Sequence, residues 1–189
     1  MIDGTFIKTV LQKGEEAINR VSLEFSGLSL EQLNWKPSSQ SWSIAQCLDH
    51  LIISHNSYGS SFGSIAGGNY KMGLWQSYGP FTYLSGKLMK QQLQEQPKRK
   101  FKAPKKIQPS ASEMERDIID RYQKNLEAFL DQISKCGNID IDKTIITSPI
   151  LSIVTYSLRD AFQFLMQHEH RHINQAIRVK AHKDFPKNN

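Results

Sequence analysis

The chain has 189 residues, 24 Lys+Arg against 18 Asp+Glu for a formal net charge of +6, and 39% apolar against 22% charged residues. That length favours one domain, here 1–189, able to bury about 70% of its unfolded surface, and the apolar content excludes a disordered chain. Two cysteines, Cys47 and Cys136, exclude a disulfide scaffold and leave room for at most one bridge.

Met1 to Phe6 lacks the basic start and apolar run of a signal peptide. The charge-free stretch between Asp49 and Lys71 is rich in Ser, Gly, Asn and Tyr, and the one between Lys143 and Arg159 is too short to span a bilayer. A soluble, cytoplasmic protein is expected, with no membrane partner.

Residues 3–26 read as helix, because Phe6, Val10, Leu11, Ala17, Ile18, Val21 and Phe25 recur mostly at three- and four-residue steps before Gly27. A turn of helix is expected at Leu30 to Leu33, and Pro37-Ser38-Ser39 then breaks the chain. Ser43 caps a second helix, with Gln46 at the N3 position of a capping box and Trp42 placed as a hydrophobic staple. That helix is expected to reach about Phe62, where a Gly-rich loop, Gly63 to Gly79, ends it.

Residues 84–94 read as a short amphipathic helix. A proline-punctuated loop follows, and its Lys98, Arg99, Lys100, Lys102, Lys105 and Lys106 equal the whole net charge of +6. The third helix is expected to start at Ser110 or Ser112 and to carry Met114, Ile118, Ile119, Tyr122, Leu126, Phe129, Leu130 and Ile133 up to Gly137. Thr144 to Thr155, β-branched around Pro149, fits a short strand and a packed loop equally well. Ser157 caps the last helix, which runs to about Ala181. Four long helices without a repeat or a linker predict an all-α bundle.

The chemistry concentrates in that last helix, at His168-Glu169-His170-Arg171-His172. His168 and His172 lie one turn and about 40° apart, the spacing two imidazoles need to hold one ion, whereas His170 lies about 200° from His168. Both belong to an otherwise apolar seam of Leu158, Ala161, Leu165, Ala176 and Val179, where two imidazoles are costly unless they share a ligand or hydrogen-bond partners. The string also satisfies HExxH, the zinc-protease motif with a glutamate base. Gln175 and Arg178 stand where the extended form of that motif has Gly and His, which argues against a protease. A third ligand therefore comes from upstream. Periodicity favours His55, close to the Ile44/Leu48/Leu51/Tyr58 stripe, over His50 on its flank, and the residues alone leave the choice open.

The segments Asn34-Trp35-Lys36-Pro37 and Trp42-Ser43-Ile44-Ala45-Gln46-Cys47-Leu48-Asp49-His50-Leu51, followed by His168 to Gln175, resemble the DinB/YfiT-like superfamily. The resemblance implies a four-helix bundle with a long loop between helices two and three. It implies a divalent metal held by His50, His168 and His172, and a homodimer. Three neutral imidazoles with open positions suit a catalytic ion, and zinc, nickel or iron(II) all fit nitrogen ligands. Some members of that family look like thiol S-transferases using a low-molecular-weight thiol, and others like metal-dependent hydrolases. A small-molecule substrate is implied.

Around this set, Glu169 and His55 are the catalytic candidates. Their plainer readings are a solvated carboxylate and a polar side chain hydrogen-bonded in the core. Asp49 reads as a surface residue and Cys47 as a buried thiol. Trp75 and Tyr78 of the Gly-rich loop are candidates for lining a substrate mouth, and Arg171 for binding an anionic substrate. Trp35 and Trp42 read as packing residues. Two alternatives stand beside the enzyme: a metal-binding scaffold or dimer without catalysis, and nucleic acid binding through the basic loop 98–106, where Phe101 could stack. That loop lacks a recognisable base-reading motif, which counts against nucleic acid.

Overall fold

A serine hydroxyl opens three helices of the computed structural model, which describes residues 3–78 and 104–187. The described elements are α1 (Gly4–Phe25), α2 (Leu30–Asn34), α3 (Ile44–Ala66), α4 (Leu74–Tyr78), a 3-10 turn (Lys105–Ile107), α5 (Ile118–Lys135), β1 (Ile145–Thr147), β2 (Thr155–Ser157) and α6 (Leu158–Lys180). Ser29, Ser43 and Ser157 accept from the backbone N–H three residues on, and the first two form complete capping boxes with Gln32 and Gln46. Asp3 caps α1 through the N–H of Phe6. The expected helix at 84–94, and Lys98, Arg99, Lys100 and Lys102 of the basic loop, lie outside the described residues.

Three boundaries differ from the sequence reading. α3 continues past Gly63 and stops only at Gly67 and Gly68, where Gly68 turns the chain at φ +71°. The stretch 144–155 is neither one strand nor a loop: β1 and β2 pair antiparallel with Ile146 opposite Tyr156, and 148–154 connect them. The Tyr156 hydroxyl meets that of Tyr58 at 2.6 Å, which ties this hairpin to α3.

The third difference is the start of α5, at Ile118 and not at a serine cap. Side chains of α2, α3 and the turn between them claim the backbone that a longer helix would need. Ser110 N–H donates to Asp49, the Ala111 carbonyl accepts from Gln46, that of Ser112 accepts from Lys36, and Met114 pairs with Asn34 through both its N–H and its carbonyl. A segment whose polar backbone is satisfied from outside gains little by coiling.

The four long helices form the bundle, with α3 packed against α5 and α6, and α1 packed against the same two. α3 and α6 are antiparallel, since His50 faces His168 while Phe62 meets Phe162 farther along. α3 and α5 are parallel, since His55 meets Asn125 and Phe62 meets Phe129. Parallel neighbours require a connection that runs the length of the bundle, which is why the chain between them is long. On the other side α1 approaches α5 closely at Gly14, where a Cβ would come within 2.4 Å of Leu130 Cδ2. No helix among the described residues is long and apolar enough to cross a membrane.

Candidate metal centre

The expected seam of α6 is buried along its whole length, and it carries His168 and His172 into the bundle at 8% and 7% exposure. His50, 1% exposed near the start of α3, meets them from across the interface. Its Nε2 lies 3.0 Å from His168 Nε2. Ring centroids are 4.4 Å apart for His50 and His172 and 4.6 Å for His168 and His172. One ring nitrogen from each of the three lies within 4.8 Å of the others.

Hydrogen bonding orients one of these rings. His50 Nδ1–H donates to the Ile107 carbonyl, so the lone pair of this imidazole sits on Nε2, toward His168. Burial pushes His168 well below its ordinary pKa, and the charges of His172 and His50 add to the effect. Burial does the same to His172, with His50 and Arg171 contributing and Gln175 opposing. His50 is lowered by burial as well, against the opposing bond to Ile107. Neutral imidazoles are the form that binds a cation. Two nitrogens about 2.1 Å from one ion stand about 3.0–3.4 Å apart, and the His50–His168 separation falls in that range. His172 Nδ1 is buried without a hydrogen-bond partner among the described residues. The donor set and its geometry therefore fit one divalent ion.

Trp42 covers the group, with its ring 4.9 Å from that of His50 and stacked at 5.7 Å on His172. The staple expected before α3 is thus also a wall of the site. Trp35 packs elsewhere, against His182 and Phe185 of the C-terminal segment.

His55, which periodicity favours, does not join the three. It turns toward α5, stacks on Phe129 at 4.6 Å, and pairs with Asn125 at 2.9 Å and Glu169 at 2.8 Å. α3 is buried on so wide an arc that both the flank carrying His50 and the stripe beside it face partners within the bundle. Glu169, 1% exposed, is no solvated carboxylate: one oxygen accepts from the Tyr122 hydroxyl and the other faces His55. Both oxygens are engaged within the bundle, so the carboxylate does not stand as the free base of an HExxH protease. Asp49 is likewise buried, at 2% exposure, and accepts from Ser110 N–H at 2.7 Å. The polar roles of Tyr122 and Asn125 escaped the sequence reading because nothing in an amphipathic helix reveals which polar group its partner will offer.

The remaining candidates lie at different distances from the three histidines. Arg171 is half-buried, and its charge depresses all three clustered imidazoles. Trp75 sits at the other end of the bundle, where its Nε1–H donates to the Ile153 carbonyl at 3.3 Å. That hairpin leads into Leu158, and His168 lies about 15 Å farther along α6. The side chain of Tyr78 is outside the described residues. Cys47 and Cys136 are free, buried thiols. Lys105 and Lys106 form the turn that ends at Ile107, so the close of the basic loop reaches His50.

The sequence model of the DinB superfamily matches residues 14–176. The chain is also 28% identical over 162 residues to "Uncharacterized protein YuaE" of Bacillus subtilis (strain 168), a match covering 83% of this chain and 88% of that one. No solved structure matches. The matched span takes in all three clustered histidines and most of the bundle, and the chain belongs to the DinB superfamily.

Proposed function

We propose that the chain is a divalent-metal-dependent enzyme of hydrolase or thiol S-transferase type, with His50, His168 and His172 as its ligands. The observation that carries this reading is the convergence of three buried imidazoles whose nitrogens lie within 4.8 Å of one another. Without a shared cation, the buried Nδ1 of His172 has no partner among the described residues, at a cost of about 1–3 kcal/mol. Zinc, nickel and iron(II) all suit the donors. A bound ion of this kind polarises a carbonyl or acidifies a coordinated water or thiol.

The chain's own residues do the rest. The Ile107 carbonyl fixes the tautomer and orientation of His50. Trp42 shields the rings from water. Arg171 places a cation beside the ligands, which suits a small anionic substrate, and a low-molecular-weight thiol fits the same requirement. A homodimer belongs to this reading.

Metal analysis of protein purified without a nickel-charged column tests it. The expected result is about one equivalent of metal in the wild type. Zinc at about 100 times its Kd then stabilises the fold by about 2.7 kcal/mol, or about 5–10 °C. Both effects are absent in His168→Ala and His50→Ala. Equal metal content and equal response to zinc in wild type and His168→Ala would remove the basis of the proposal. An activity screen of the loaded protein with thiol cosubstrates and small electrophiles then separates transferase from hydrolase.

A further inference from the structure

Next to the three imidazoles lies a second buried polar chain that the ligand set does not use. Glu169 Oε1 accepts from the Tyr122 hydroxyl of α5, and Oε2 lies 2.8 Å from His55 Nε2 of α3. His55 Nδ1 continues to Asn125 Oδ1 at 2.9 Å, and Asn125 Nδ2–H donates to Asn56 Oδ1 at 2.7 Å. Tyr122, Glu169 and His55 are 0%, 1% and 2% exposed.

The path of this chain through the bundle gives it its significance. α5 and α6 are diagonal partners, each packed mainly on α1 and α3. The Tyr122–Glu169 bond therefore crosses the middle of the bundle and joins helices that otherwise meet little. Apolar side chains such as Phe129 and Phe62 tolerate small slides and rotations of a helix with modest loss. A buried carboxylate with both oxygens engaged does not, because turning α6 would strand an acceptor in the core. Glu169 follows His168 directly and precedes His172 by less than a turn. Whatever fixes the rotation of α6 at Glu169 also fixes where both ligand rings point.

We propose that Glu169 is a positioning residue of the metal centre: held by Tyr122 and His55, it sets the rotation and register of α6 that bring His168 and His172 onto His50. This rests on the metal reading above. It assigns Glu169 and His55 a role through the ligands, without contact to a substrate.

The test compares wild type, Glu169→Gln, Tyr122→Phe and Ile133→Val, the last removing a methylene from the core near the far end of α5. Zinc affinity is measured by chelator competition, and the ligand field by the visible absorption of the cobalt(II)-loaded protein. Glu169→Gln and Tyr122→Phe are expected to weaken zinc binding about tenfold or more and to shift the cobalt bands. Ile133→Val should stay within about twofold, with an unchanged spectrum, although it too loses stability. Where Glu169→Gln does not fold, Tyr122→Phe, which removes only a hydroxyl, decides. Wild-type affinity and spectrum in Tyr122→Phe, with only a lower melting temperature, would reduce the chain to a structural one and overturn the proposal. A wild type that binds zinc no better than His168→Ala overturns the metal reading itself, a result that the variants cannot mimic.

Discussion

Acid should destabilise the metal-free protein well before its carboxylates protonate. Burial and mutual repulsion hold His168 and His172 well below the ordinary imidazole value of 6.5. Between about pH 6.5 and those lowered values, the unfolded chain binds protons that the folded chain refuses. The stabilisation is complete above pH 6.5 and is lost as the pH falls. Going from pH 7 to 5.5 costs about 1.2 kcal/mol per imidazole that stays neutral in the fold, about 2.5 kcal/mol for the two. His50, also lowered, adds in the same direction. For a chain of this size, 2.5 kcal/mol is about 5–10 °C in melting temperature. The depressed carboxylates of Asp3 and Asp142 lose their contribution only near and below 3.8, so the two windows separate. The assay is thermal unfolding by circular dichroism in chelator at pH 7, 6 and 5.5, on wild type and His168→Leu. The variant lacks one of the imidazoles and should lose about 1.2 kcal/mol less over that range. A wild-type melting temperature that is flat from pH 7 to 5.5, or the same slope in both proteins, would refute the assignment of buried neutral rings.

Two further outcomes test the surroundings of the site. Burial pushes the thiols up to about 12 for Cys47 and about 11 for Cys136, so neither should react with iodoacetamide at pH 8 until the protein is unfolded; mass spectrometry showing Cys47 alkylated in the native protein within minutes would contradict that burial. Asp49→Ala removes the acceptor of Ser110 N–H and should cost about 1–3 kcal/mol. It should also speed amide exchange across 107–114, and unchanged exchange there would show that the carboxylate does not anchor this segment.

Local chemistry made much of the fold legible. Ser43 with Gln46, and Ser157 three residues before Asp160, start α3 and α6 where the pattern places them. The seam from Leu158 to Val179 is buried as its spacing requires. Information stored in other parts of the chain was not legible. The start of α5 depends on Asn34, Lys36, Gln46 and Asp49 capturing the backbone of 110–114, and no window around Ser110 contains those residues. The choice of His50 over His55 depends on which neighbour covers which side of α3. Periodicity measures distance from the centre of a stripe, whereas a helix packed against both α5 and α6 has two buried sides. Family resemblance supplied His50 because it follows the motif position and not the stripe.

The parallel arrangement of α3 and α5 also explains why Lys105 and Lys106 and the histidines, far apart in sequence, end at one place. α3 leaves the metal centre at His50 and finishes at Ala66 about 24 Å away. α5 starts beside the beginning of α3, where Arg121 lies 3.9 Å from Asp49, so the connection must return the whole way. Any connection of that kind brings its last residues to the ligand end of the bundle, whatever path it takes between. Those last residues here are Lys105, Lys106 and Ile107, and the Ile107 carbonyl is the group that orients His50. The described end of the basic loop, Lys105 and Lys106, is therefore tied through its own backbone to His50. A change that loosens 107–114 on α3, such as Asp49→Ala, would loosen Lys105, Lys106 and the imidazole tautomer of His50 together.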